Sequence, residues 1–352
     1  MADDEVICDR QGAAGIITMN RPKALNALTL GMVRAMRRAL DSWAADPACT
    51  RIVVTGAGEK AFCAGGDIRR LYDLGRSGER DEALAFWREE YQLNALIHRY
   101  PKPYVSLIDG IVMGGGVGVS LHGRYRAGGG RYLFAMPEVG IGFFPDVGGI
   151  HALPRLPGRS GTYLALTGDR IGLADAAALG LVTHAVAPGA METIREDLVG
   201  GRPVEDALAA RAADPGPGPL AEHRSLIDDC FAGGSVEDIL RRLDARAEAG
   251  ESGSGFAGRT AAAIRTKSPT SLAIAFEQMR RGGSLDFDEA MRTDFRVVSR
   301  ISEGHDFYEG VRAVLIDKDG RPAWKPESLA AVDPAVIAHH FSDLGPNELK
   351  IV

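Results

Sequence analysis

An α/β architecture with parallel strands is the fold class this sequence predicts, and three observations predict it. Short runs rich in β-branched residues, "GIITMN" from Gly15 to Asn20 and "RIVVTG" from Arg51 to Gly56, read as buried strands. Between them "LTLGMVRAMRRALDSWAAD" sets Met32, Met36, Ala39, Leu40 and Trp43 at helical spacing, with arginines on the other face. The alternation then recurs with "DEALAFWREEYQLNALIHRY" and "PYVSLIDGIVMG", and strands that alternate with helices favour a parallel sheet.

Taken in order, the first strand leads to a helix that stops near Pro47, and the second strand feeds the glycine turn "CAGGDI", Cys63 to Ile68. The next helix stops at Pro101, because the residue before a proline is pushed out of helical conformation. "PYVSLIDGIVMG" reads as one strand running into the glycine run Gly114 to Gly118, and "GVGVSLHG" as the start of a further helix. From Leu156 onward the periodicity is mainly helical, broken by "ADPGPGPL", a loop on composition. The expected organisation is a core over residues 1–190 followed by a helical region over 191–352.

The 352 residues exceed the usual size of one hydrophobic core, so an appended region or second domain is natural. A formal net charge of -6, with 25% charged residues of both signs, argues against a general binder of nucleic acid or anionic membranes. Cys8, Cys49, Cys63 and Cys230 lie far apart and form no CxxC pair, so neither a structural zinc site nor a disulfide framework is expected, and reduced thiols fit. "MADDEVICDR" lacks the basic and apolar regions of a signal peptide, and no apolar run approaches the roughly 18 residues of a membrane span. A cytoplasmic location is the expectation.

Several chemistries fall away. The glycine run has neither P-loop nor GxGxxG spacing, Ser120 in "VGVSLHG" lacks the GxSxG elbow, and the histidines form no HExxH pair. Cys63 beside glycines reads as a small buried side chain. What remains is backbone amides plus two acids, Glu138 and Asp146. A strand that turns through glycine into a helix presents free N–H groups at the positive end of a dipole, and "CAGGDI" can supply another such donor. Two donors from separate loops can hold one oxyanion. On the residues alone, each loop is equally an ordinary tight turn, and the two acids are equally loop carboxylates that cap helices or pair with arginines.

"NRPKALNAL", "KAFCAGGDI", "KPYVSLIDGIVMGGGVGVS" and "FAMPEVGIGFFPDVGG" resemble, in order, the signature blocks of the crotonase (enoyl-CoA hydratase/isomerase) superfamily over roughly residues 5–190. The resemblance implies a crotonase fold, a spiral of repeated ββα units, with the thioester carbonyl of an acyl-CoA polarised by the amides of Gly66 and Gly115. Coenzyme A is then part of the substrate, and no cofactor or metal is implied. A closer likeness, carried by "FWREEY", "FPDVGG", "RGGSLDFDEAM" and "DFYEGVRAVLIDKDGRPAWKP", is to the hydrolases of the superfamily that act on 3-hydroxyisobutyryl-CoA in valine breakdown. It extends over nearly the whole chain.

Hydratases of the superfamily use two glutamates, one at the start of the helix after the glycine run, where this chain has Gly118. The resemblance therefore implies thioester hydrolysis, with Glu138 acting on the carbonyl carbon as nucleophile or base and Asp146 orienting water or managing a proton. It places Glu90 with Gly115, Glu138 and Asp146 against the substrate, and Arg21, Lys23, Ala24, Asp67 and Ile68 against coenzyme A. An enoyl-CoA hydratase or isomerase is the alternative enzyme. A non-catalytic crotonase-like protein that binds acyl-CoA or RNA is the alternative of another class. A homo-oligomer, such as a trimer, is the assembly the resemblance implies.

Overall fold

A computed structural model describes residues 5–351. Its strands are β1 (Val6–Gln11), β2 (Ala14–Met19), β3 (Arg51–Gly56), β4 (Ala61–Cys63), β5 (Tyr104–Ile108), β6 (Ile111–Met113), β7 (Tyr125–Gly128), β8 (Leu133–Ala135), β9 (Ile171–Gly172) and β10 (His184–Ala185). They form a six-stranded sheet in the order β1-β2-β3-β5-β7-β10 and a four-stranded sheet in the order β4-β6-β8-β9. Only the β1/β2 and β8/β9 pairs are antiparallel among the described residues. Successive strands change sheet: β3 passes to β4, β5 to β6 and β7 to β8, with helical segments following each pair. This is the expected ββα spiral.

One predicted element divides. "PYVSLIDGIVMG" is two strands in two sheets, because the chain breaks at Gly110, whose φ of +139° suits only glycine and whose β-carbon would lie 2.8 Å from the Lys60 carbonyl oxygen. The helix after the glycine run is also shorter than expected, only Gly115–Gly118. Its dipole is correspondingly small, and the site depends on the amides themselves.

The helix Leu30–Ala45 forms as its spacing predicts: Thr29 accepts from the Met32 amide at its start, and Met32, Val33, Met36, Leu40 and Trp43 are buried. The helix Arg80–His98 buries Phe86, Trp87, Tyr91 and Leu93, but also two polar residues, Glu90 and Asn94. Such burial is unfavourable without a purpose. Helices Met191–Val199 and Val204–Ala209 cover the outer face of the larger sheet, setting Ile194, Leu198 and Leu208 among Ile16, Val53 and Val105. Helices Pro269–Gly282, Phe287–Ile301 and His305–Val311 pack on the other side, in the main core. Residues 213–218 are the loop that composition predicts. Among the described residues, no helix is long and apolar enough to cross a membrane.

Candidate active site

A cavity of about 570 Å³ opens where the turns after β4 and β6 meet the helix Arg80–His98 and the loop that follows β8. Gly65, at φ +124°, and Gly114, at φ +45°, bend the chain there as only glycine does readily. The residues that follow them, Gly66 and Gly115, both line the cavity. A β-carbon at Gly115 would lie 3.2 Å from the Gly66 nitrogen and 2.6 Å from Glu90 Oε1, while one at Gly114 would lie 3.1 Å from Glu138 Oε1. Neither the Gly66 nor the Gly115 N–H has an acceptor among the described residues. Two free donors on one cavity wall suit an anionic oxygen.

Three carboxylates share the cavity wall, and all are buried: Glu90 at 2% exposure, Glu138 at 6% and Asp146 at 5%. Glu138 opens the 3₁₀ turn Glu138–Ile141 after β8, Asp146 lies in the loop "PDVGG", and Glu90 comes from the helix across the cavity. Burial raises the Glu138 and Glu90 carboxyls well above the usual carboxylate range, and the nearby charge of Asp146 raises both further. Burial pushes Asp146 up to about 7, against the stabilising hydrogen bond that Tyr91 Oη donates to its Oδ2 at 2.8 Å. Among the described residues, Glu90 Oε1 and Glu138 Oε2 have no hydrogen-bond partner. Burial shifts all three toward the protonated form, which equips the group to give and take protons.

The remaining wall is apolar. Trp87 stacks on Phe143 with ring centroids 5.7 Å apart, and Phe86, Met113, Val314 and Leu315 complete it. At Gly118 a β-carbon would meet Asn94 Nδ2 and Val147 Cβ, each at 2.9 Å, so any side chain there must displace a neighbour. Both amide atoms of the buried Asn94 are themselves unpartnered.

The structure brings Ala24, Asp67 and Ile68 to the cavity with Glu90, Gly66, Gly115, Glu138 and Asp146. Arg21 and Lys23 are placed otherwise. Arg21 donates to Asp67 at 2.9 Å and to the Ala27 carbonyl at 2.6 Å, pairs with Glu5 at 3.2 Å, and lines a neighbouring cleft. Lys23 is exposed on the turn Pro22–Ala24, outside the cavity lining. The cations that do line the cavity are Arg170 and Lys267, which sequence reasoning missed. Burial lowers the Lys267 ammonium below the usual lysine range. Tyr91, Asp294 and Gln278 were missed too. The available signal was an acid inside an apolar stripe: Asp294 falls among Phe287, Met291, Phe295 and Val298 on one helix.

A larger cavity, about 660 Å³, lies against His98, His122 and His151 with Arg124, Arg126 and Arg155. Its lining holds no carboxylate, whereas the smaller cavity holds three buried ones beside two free amides, so the smaller one is the candidate site.

Comparisons with known proteins bear on the family and the fold. The family model described as enoyl-CoA hydratase/isomerase matches residues 14–341. The mitochondrial 3-hydroxyisobutyryl-CoA hydrolase of Xenopus tropicalis is 45% identical over 359 residues, spanning 99% of this chain and 91% of the relative. Among solved structures, a carnitinyl-CoA dehydratase from Mycobacterium thermoresistibile superposes with a TM-score of 0.92 at 42% identity, covering 99% of each chain. An enoyl-CoA hydratase from Rhodobacter sphaeroides superposes with a TM-score of 0.91 at 39% identity, covering 98% of this chain and 99% of that one. With the spiral core and a match over nearly its full length, this chain belongs to the enoyl-CoA hydratase/isomerase family, the crotonase superfamily.

Proposed function

We propose that the protein hydrolyses an acyl-CoA thioester, taking 3-hydroxyisobutyryl-CoA and water to 3-hydroxyisobutyrate and free coenzyme A, a step of valine breakdown. One observation carries the reading: Glu138 and Asp146 share the cavity with two free amides, while the site of a hydratase's first glutamate is filled by Asn94 and Val147. Similarity to a relative named for this hydrolysis, at 45% identity, supports it.

The thioester oxygen takes the Gly66 and Gly115 N–H groups, which stabilise the charge that develops as the carbonyl carbon is attacked. Glu138 acts on that carbon. As nucleophile it forms a C–O bond and expels coenzyme A thiolate, which takes a proton from a neighbouring carboxyl; water, deprotonated by Asp146, then opens the mixed anhydride. As base, Glu138 would instead deprotonate water in a single attack. Turnover in ¹⁸O-water separates the routes, because only the anhydride can leave label in Glu138. Arg170 and Lys267 on the lining support a ligand with anionic groups, as coenzyme A has; Ala24, Asp67 and Ile68 on the same lining are the coenzyme A contacts proposed with them, and Arg21 and Lys23, outside it, are proposed to reach the ligand from the cavity's edge.

The test is a thiol-release screen. Free coenzyme A should appear from 3-hydroxyacyl thioesters much faster than crotonyl-CoA is hydrated. The names of the two solved neighbours favour hydration instead, and efficient hydration without thiol release would establish that reading. We also propose a homo-oligomer, to be read by light scattering, and a cytoplasmic location that fits the free thiols. Fractionation of the native host decides between the cytoplasm and the mitochondrial location in the relative's name.

A further inference from the structure

The loop that carries Asp146 is held in a conformation its own sequence resists. Val147 has a φ of +49° and Gly148 follows at +87°. Left-handed backbone is natural for the glycine but is an outlier for a β-branched residue, and it persists only where the surroundings over-determine it. Three side chains from three parts of the chain do so. His122 Nε2 donates to the Val147 carbonyl at 2.6 Å, which places its ring proton on that nitrogen. Gln278, on the helix Pro269–Gly282, donates to the Pro145 carbonyl at 3.0 Å. Asp294, on the helix Phe287–Ile301 and wholly buried, accepts the Gly148 N–H on Oδ2 at 2.9 Å, and Gln278 reaches its other oxygen at 3.3 Å.

A buried carboxylate is an expensive way to satisfy one amide, since a carbonyl or an amide oxygen would serve. Its place explains it. The Gly148 amide lies two residues beyond Asp146, and every bond that fixes Pro145, Val147 and Gly148 limits where the Asp146 carboxylate points. We propose that Asp294 is a positioning residue: by accepting the Gly148 N–H it locks the left-handed turn at Val147 and so aims Asp146 into the cavity shared with Glu138 and the amide pair. The inference rests on the hydrolase reading only in giving Asp146 a part in the chemistry.

The experiment compares Asp294→Ala, Asp294→Asn, Val147→Gly and the double variant Val147→Gly with Asp294→Ala, as full chains, in steady-state thiol release from 3-hydroxyisobutyryl-CoA. Losing the acceptor should lower kcat by about 10- to 100-fold with KM nearly unchanged, the scale expected of a misplaced reacting group. Asp294→Asn should keep most of the rate, because its amide oxygen still accepts from Gly148. Glycine takes a positive φ unaided, so in the Val147→Gly background the loss from Asp294→Ala should shrink to about threefold or less. An equal loss in both backgrounds, an Asn variant as impaired as the Ala variant, or a loss confined to KM overturns the proposal. If Asp294→Ala does not fold, Gln278→Leu, which removes the donor to Pro145, carries the same comparison against Val147→Gly. A parent protein that releases no thiol from any 3-hydroxyacyl-CoA fails the hydrolase reading alone. The positioning role is then read from the crystal structure of the Ala variant: Val147 leaving the left-handed region supports it, and Val147 unchanged overturns it.

Discussion

At the scale of the residue, Asp146 ties the chemistry to pH. Burial lifts it from an ordinary 3.8 to about 7, so the ionised form that can take a proton from water accumulates only as pH rises through that value. Activity should therefore climb as pH rises through about 7, and Asp146→Asn should remove that limb and lower kcat by at least about a hundredfold. Glu138→Gln should cost as much in rate while leaving acyl-CoA binding measurable. The same burial sets the sign of a stability effect. Because the folded protein holds this proton more tightly than the unfolded chain, folding loses stability as pH rises from about 4 to about 7, and the loss is complete above that window. At pH 8 the Asn variant should then be more stable than its parent, by on the order of 1 to 4 kcal/mol, although slower. Calorimetry on both proteins checks this, and equal melting temperatures at pH 8 would return Asp146 to an unperturbed carboxylate. Glu90 makes a different prediction. If its unpartnered Oε1 accepts the substrate's hydroxyl, Glu90→Ala should lower kcat/KM for 3-hydroxyisobutyryl-CoA far more than for isobutyryl-CoA, and an unchanged ratio removes it from recognition.

At the scale of the element, glycines decide what each turn permits. Gly118→Glu would restore the acid a hydratase carries, yet its first side-chain carbon would already crowd Asn94 and Val147. That variant should gain no hydration of crotonyl-CoA and should lose about 1 to 3 kcal/mol of stability from overpacking. Hydration by the folded variant would show that Gly118 alone separates the two reactions. Much of this level was legible in the sequence. The strand at Arg51, the helices Leu30–Ala45 and Arg80–His98 and the loop before Leu220 follow from periodicity and punctuation. The break at Gly110 has one local signal, the turn dipeptide Asp109–Gly110, but the apolar residues on either side read as a single strand, and the approach of the Lys60 carbonyl accompanies the passage into a second sheet. The brevity of Gly115–Gly118 was not legible, since nothing local distinguishes four helical residues from the start of a longer helix. For the site, the glycine turns and the two acids stood out as chemistry, but their convergence depends on which strands become neighbours. Asp294 and Gln278 look like ordinary members of amphipathic helices until the loop they hold is seen.

At the scale of the whole molecule, the chain closes over its own active site. Lys267, Val314 and Leu315 line the cavity, Ser268 donates its amide to the Val139 carbonyl at 3.2 Å, and Phe307 packs on Trp87 and Phe143. Periodicity reads "DFYEGVRAVLIDKDGRPAW" only as a helix and a turn, because its partners lie far away in sequence. One close contact is at Gly310, where a β-carbon would collide with the backbone of Ile141, three residues beyond Glu138. Gly310→Val should therefore push the helix His305–Val311 off the turn that carries Glu138, and thiol release should fall by about tenfold or more as that acid is displaced. This variant also tells whether the cover belongs to the same chain in solution. Were the C-terminal helices exchanged between subunits, a Gly310→Val chain would keep a sound core and a Glu138→Gln chain a sound cover, and a mixed oligomer would combine them into working sites. Because Lys267, Val314 and Leu315 reach the cavity of their own chain, refolding the two variants together should give no more activity than the sum of the two refolded apart. Recovery toward a quarter or more of the parent rate on mixing would place each cover on a neighbour.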